Sequence, residues 1–158
     1  MNVEYIHASK YGNGARVAER FQRLMADRGV LVKVHHIDDA NPKALPPADL
    51  YVFSSPGRMG RPIGGMRRFL KKLDAPAGAR YAILTTEGAP QPDKKTGRLP
   101  TEEELAKTQR VIPIMSELLR AAGLVEVAAD KVLVTGMKGP LEEGWEAKVE
   151  AFAAGLPV

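Results

Sequence analysis

Near the start of the chain, Ser9-Lys10-Tyr11-Gly12-Asn13-Gly14 follows the apolar run Val3 to Ala8 and precedes Val17, Phe21, Leu24 and Met25, which recur at helical spacing. A turn between a strand and a helix aims its backbone N–H groups along the positive end of the helix dipole, where an anion is stabilised without any basic side chain. Two glycines let the backbone close around a ligand, and the Ser9 hydroxyl, the Asn13 amide and several N–H groups together offer a seat for a phosphate. The pattern is neither G-x-G-x-x-G nor Walker A, so a tight turn that binds nothing is the competing reading. Other chemistries find little support. The chain has no cysteine, which removes disulfides, thiolate metal sites and thiol nucleophiles. No serine sits in a G-x-S-x-G context. His35-His36-Ile37-Asp38-Asp39 has metal-ligand residue types, but consecutive strand residues face opposite ways, so a strand end is expected rather than a metal site.

The elements that must position this turn follow from composition and periodicity. With 158 residues, 44% hydrophobic and 27% charged, the chain is long enough to bury roughly 70% of its unfolded surface, and residues 1–158 are expected to form a single domain. Short apolar runs alternate with longer amphipathic ones, a β then α rhythm that implies an α/β fold with a parallel sheet. Strands are expected at Val3 to Ala8, Val30 to Ile37, Leu50 to Phe53, Arg80 to Thr86 and Leu124 to Val134. A helix ending at Gly29 follows the first strand, and another spans Ile63 to Leu73. A third, from the Thr101/Glu104 capping box toward Ala122, is expected to be kinked or divided at Pro113, and a last one covers Leu141 to Phe152. Ser54 to Gly60 reads as a loop. The stretch Glu87 to Pro100 is longer than a connection needs, and loops of that kind often cover sites.

Three segments at strand ends carry a family resemblance. His7-Ala8-Ser9-Lys10-Tyr11-Gly12-Asn13 resembles the phosphate loop of flavodoxin-like proteins. Phe53-Ser54-Ser55-Pro56-Gly57-Arg58-Met59-Gly60-Arg61-Pro62 resembles their second flavin-contacting loop, and Leu84-Thr85-Thr86-Glu87-Gly88 stands in the place of the third. The likeness implies a three-layer flavodoxin-like sandwich, a five-stranded parallel sheet in the order 2-1-3-4-5 with helices on both faces. It also implies FMN at the switch between strands one and three. The absence of a long insertion in the last strand matches the short-chain type. The implied cofactor-binding residues are Ser9, Lys10, Tyr11, Gly12, Asn13 and Gly14 for the phosphate. Ser55, Pro56, Gly57, Arg58, Met59 and Gly60, with Thr86, Glu87 and Gly88, are implied for the ring. The family often has an aromatic where Met59 stands.

The resemblance implies an electron-transfer protein working with a redox partner protein. An alternative is an NAD(P)H-dependent FMN reductase acting on a quinone or similar acceptor, and a further one is a binding module that has lost the cofactor. Lys plus Arg exceed Asp plus Glu by 23 minus 19, or +4. Arg67, Arg68, Lys71 and Lys72 form two i, i+4 basic pairs that could face an acidic partner. Aromatics make up only 6% of the chain, against the aromatic interleaving that marks single-strand nucleic-acid binding. No apolar run is long enough for a signal or transmembrane segment, so the expectation is a cytoplasmic protein, monomer or homodimer, without a membrane contact.

Overall fold

The computed structural model describes residues 1–158. In chain order the elements are β1 (Asn2–His7), α1 (Asn13–Ala26), β2 (Leu31–His36), β3 (Leu50–Ser54), β4 (Gly57–Arg58), β5 (Arg61–Pro62) and α2 (Gly64–Lys71). They continue with β6 (Arg80–Gly88), α3 (Glu102–Thr108), α4 (Val111–Ala121), β7 (Val125–Val134) and α5 (Trp145–Ala154). Five strands form one parallel sheet in the order β2-β1-β3-β6-β7, and β4 and β5 form a separate antiparallel hairpin. Numbered within the large sheet alone, the order is 2-1-3-4-5, as the resemblance implied.

The sheet is buried on both faces. One face carries Val3 and Tyr5 of β1, Val52 of β3 and Leu84 of β6 against Val17, Phe21 and Met25 of α1 and Val149 and Phe152 of α5. The other carries Ile6, Phe53 and Ile83 against Met66 and Leu70 of α2 and Val111, Met115 and Leu119 of α4. Burial on both sides explains why Leu50 to Phe53 is continuously apolar rather than alternating. Each fully buried side chain of this kind contributes about 1.5–3 kcal/mol. Phe21 links the layers, with its ring 5.3 Å from Tyr5 and 6.1 Å from Phe152. No helix is long and apolar enough to cross a membrane.

Four details depart from the sequence expectations. The segment from Thr101 does break, but at Gln109 and Arg110 rather than at Pro113. Pro113 is the third residue of α4, where its missing N–H would have had no intrahelical acceptor, so the ring is accommodated without a kink. The segment after Ser54 is not wholly loop: Arg58 pairs with Arg61 across the two-residue turn Met59-Gly60. The last helix begins at Trp145, because Leu141 instead bridges Val134 in an antiparallel contact. Strand β6 runs two residues further than expected, since β7 pairs with it as far as Gly88 and Val134.

His35 and His36 face opposite sides of the sheet edge. On the α2 side, His35 Nε2 lies 2.5 Å from Oε2 of Glu4, whose side chain is buried to 1% exposure. Removing the histidine would leave that carboxylate buried without a hydrogen-bond partner. His35→Ala is therefore expected to lower folding stability by about 1–3 kcal/mol. Adding Glu4→Gln should recover part of the loss, as measured by urea denaturation at pH 7.

Candidate functional site

Residues 8–12 connect β1 to α1 at the point where the strand order reverses, since β2 lies on one side of β1 and β3 on the other. Gly12 caps α1 in the left-handed region, at φ +96°, which brings the chain over the first turn of the helix. The first turn of α1 contains no acidic residue and no side chain caps it. The backbone N–H groups of Lys10, Tyr11, Asn13, Gly14 and Ala15 find no acceptor within the protein. Five free donors at the positive end of a 14-residue helix are an arrangement that can receive an anion.

Ser9 of this loop is held on both sides by imidazoles. Ser9 N–H donates to Nδ1 of His7 at 3.1 Å, and Nε2 of His36 donates to the Ser9 carbonyl at 3.1 Å. Nδ1 of His36 in turn accepts from the Asp38 N–H at 3.1 Å. In both rings Nδ1 is thus the nitrogen that faces a backbone N–H, and Nδ1 of His36 also lies 3.4 Å from the Asp38 carboxylate. The two rings meet edge to face at 5.2 Å, as register partners on β1 and β2. The Ser9 hydroxyl accepts from the Gly12 N–H at 3.2 Å, closing the turn.

The β4–β5 hairpin stands opposite. Both of its turn residues have positive φ, Met59 at 53° and Gly60 at 76°, the requirement of a two-residue hairpin turn whose twist matches its strands. Gly60 admits no side chain, because a Cβ there would lie 1.7 Å from the Thr108 carbonyl oxygen. That close approach docks the hairpin on the junction between α3 and α4, where Arg110 N–H donates to the Gly60 carbonyl at 2.6 Å. Met59 is 92% exposed in a backbone region that costs a non-glycine residue about 1–2 kcal/mol. The third segment joins the second through a bridge between Pro56 and Thr86.

A fourth loop, residues 135–139, completes the enclosure. Asn13 Nδ2 donates to the Lys138 carbonyl at 3.1 Å, tying this loop to the first. Tyr11 is flanked by the ammonium groups of Lys10, at 5.6 Å from the ring centroid, and Lys138, at 5.4 Å. Sequence alone marks residues 135–140 only as a glycine-rich turn. Its part in the site depends on where β7 ends in space, and the Gly136, Met137, Lys138 triplet carries no pattern that would have marked it.

Together the loops line a cavity of about 510 Å³, within the range of small-molecule sites. Of the residues implied for the cofactor, Ser9, Lys10, Tyr11, Asn13, Gly14, Pro56, Gly57, Arg58, Met59, Thr86 and Gly88 line it; Gly12, Ser55, Gly60 and Glu87 do not. Gly12 shapes the turn, and Ser55 hydroxyl accepts from Ile63 N–H behind the hairpin at 3.3 Å. Glu87 is buried, its carboxylate accepting from the Thr85 hydroxyl at 2.6 Å. Ile63, Val134, Gly136 and Met137 line the cavity in addition, and no lining residue is acidic. Residues 89–100 do not contribute to the lining; Asp93 there folds the segment on itself by accepting from the N–H groups of Lys95 and Thr96. Of the basic stripe on α2, Arg68, Lys71 and Lys72 are exposed, while Arg67 is half-buried with Nε donating to the Pro62 carbonyl.

Burial, reinforced by the neighbouring His36, lowers the pKa of His7 to about 4. An unfolded histidine titrates near 6.5, so the neutral His7 stabilises the fold above about pH 6.5 and that contribution is lost as the pH falls toward 4. Urea unfolding from pH 7 to pH 4.5 should show this decline, and His7→Asn, which cannot titrate, should make it shallower.

No protein-family model matches the chain, and no curated protein sequence does. Solved structures are similar over nearly all of its length. A flavodoxin from the domain Archaea superimposes with a TM-score of 0.70 at 16% identity, covering 97% of this chain and 94% of that one. Flavodoxin 1 of Bacillus cereus does so with a TM-score of 0.68 at 17% identity, covering 98% and 96%. Rubredoxin oxygen:oxidoreductase of Desulfovibrio gigas matches 97% of this chain with a TM-score of 0.70 at 12% identity, but only 34% of its own length. Likeness of this extent at these identities shows the fold, and the fold is flavodoxin-like.

Proposed function

We propose that the chain is an FMN-binding electron-transfer protein. The observation that carries this reading is the row of five unpaired N–H groups, from Lys10 to Ala15, at the acid-free end of α1 and at the edge of the 510 Å³ cavity. Those amides, with the Ser9 hydroxyl as a further donor, fit the phosphate of a mononucleotide. The remainder of the cavity suits a planar ring: Met59 and Met137, 92% and 86% exposed, and Tyr11 offer apolar surface at its rim. Bound FMN supplies one- or two-electron transfer, chemistry that the side chains lack. The protein's part is to seat the phosphate on uncharged dipoles, hold the ring between the loops and set its electrostatics.

The electrostatics favour acceptance of negative charge on the ring, because Lys10 and Arg58 line the site and no carboxylate does. A reductase that takes hydride from NAD(P)H is the second reading, favoured by the same cationic rim. The exposed Arg68, Lys71 and Lys72 would suit an acidic redox partner.

A visible spectrum of the purified protein, followed by fluorescence titration of the apo form with FMN and with riboflavin, tests the reading. FMN should bind roughly 100-fold more tightly than riboflavin, which corresponds to about 3 kcal/mol from charge-assisted hydrogen bonds to the phosphate. Equal affinities would remove the phosphate from the Ser9–Gly14 turn, and no saturable binding of either would return the chain to a binding module without flavin. Met59→Asn separates the two halves of the ligand. It replaces a strained residue by one that accepts the left-handed region, so folding stability should rise by about 0.5–1 kcal/mol. Affinity for FMN and for riboflavin should fall by the same factor, since the Met59 thioether would touch the ring and not the phosphate.

A further inference from the structure

Two histidines stand directly behind the loop that faces the cavity, and neither lines the cavity itself. We propose that His7 and His36 are positioning residues for the anion seat, acting by holding both backbone polar groups of Ser9; this rests on the reading of the turn as a phosphate site. His36 draws the Ser9 carbonyl toward β2, which keeps a partial negative charge away from a bound anion. The peptide that follows is planar and trans, so the Lys10 N–H must point opposite to the Ser9 carbonyl. Fixing the carbonyl therefore fixes the direction of one of the five free donors. His7 performs the complementary task. By accepting the Ser9 N–H it orients the Ala8–Ser9 peptide, while the peptide before it is anchored separately by Ala8 N–H donating to the Ser54 carbonyl at 3.1 Å.

The arrangement is over-determined in a way that strand termination alone does not require. Nδ1 of His36 is taken up by Asp38, through its N–H at 3.1 Å and its carboxylate at 3.4 Å, so the Nε2–H is the ring's donor to the Ser9 carbonyl. The edge-to-face contact with His7 holds each ring against rotation. The N–H and carbonyl of Ser9 are thereby held by the two imidazoles and one lone pair of its hydroxyl by the Gly12 N–H, leaving the hydroxyl proton to donate, while the N–H groups of Lys10, Tyr11, Asn13, Gly14 and Ala15 stay free. Pre-organised donors of this kind bind without the entropic cost of ordering a loop.

The decisive comparison is His36→Leu with His36→Gln, whose side-chain amide can place an N–H where the imidazole has Nε2. Dissociation constants for FMN and riboflavin are measured by fluorescence. In parallel, ¹⁵N-labelled protein is titrated with inorganic phosphate while the amide signals of Lys10, Tyr11, Asn13, Gly14 and Ala15 are followed. His36→Leu is expected to weaken FMN and phosphate by about tenfold and leave riboflavin within about twofold, with His36→Gln restoring most of the loss. His7→Asn, which keeps an acceptor near the position of Nδ1, should behave like His36→Gln. Equal weakening of FMN and riboflavin, or a glutamine variant as weak as the leucine one, would overturn the proposal in favour of a purely structural role. Wild-type protein that binds phosphate at these amides but no FMN would sink the flavin reading, and the phosphate constants of the variants would then decide the positioning role alone. If phosphate shifts none of the five signals in the wild type, both readings fail.

Discussion

The site exists because the order of a parallel sheet reverses at β1. Crossovers between parallel strands are right-handed, so α1, which carries the chain from β1 to β2 in one direction, and α2, which carries it from β3 to β6 in the other, lie on opposite faces. The loops leaving β1 and β3 then diverge, and no element of the sheet fills the gap between them. The four loops that line the cavity are arranged around that gap. A continuous apolar strand pair such as Tyr5 beside Val52 can anchor it only because both faces are covered, which explains why the core forms two separate clusters rather than one.

The loops at the gap are fixed mainly by one another. Asn13 of the first loop holds the fourth through the Lys138 carbonyl, and Lys138 returns over the ring of Tyr11. Pro56 of the second bridges Thr86 of the third, and the tip of the hairpin rests on the α3–α4 junction through Gly60. Contacts of this kind give a loop cluster the rigidity that a binding site needs, because each segment loses its freedom against a neighbour already ordered by the sheet. Met59 is the exception: the turn requires its left-handed backbone, but its side chain is exposed and contributes no packing, and strained positions of this kind cluster at sites of ligand contact.

Electrostatically the cavity has one sign. The helix dipole, five free amides, Lys10 and Arg58 all favour negative charge, and Glu87, the acid closest to the site in sequence, is folded beneath the hairpin onto Thr85. A side chain's position in the sequence would have put that carboxylate at the ring. The alternation of β6 puts it on the opposite face, next to Gly57, because the strand extends to Gly88.

Local sequence was sufficient for whatever depends on near neighbours. The strand, turn and helix around Ser9 to Gly14 follow from apolar period and glycine placement, and the Thr101 cap forms as its spacing required, accepting from the Glu104 N–H. The five-strand order came from resemblance at three strand ends rather than from periodicity, which cannot say which strands lie side by side. The hairpin turn at Met59-Gly60, the break at Gln109, the fourth loop and the histidine hold on Ser9 were decided only by tertiary structure. The contacts that fix them join groups far apart in the chain: the Gly60 tip rests on Thr108, His36 is 27 residues from Ser9, and Lys138 is 125 from Asn13. Hydrogen bonds at such separations follow from strand register and helix docking, which the buried faces set collectively, so no short segment contains the information that specifies them.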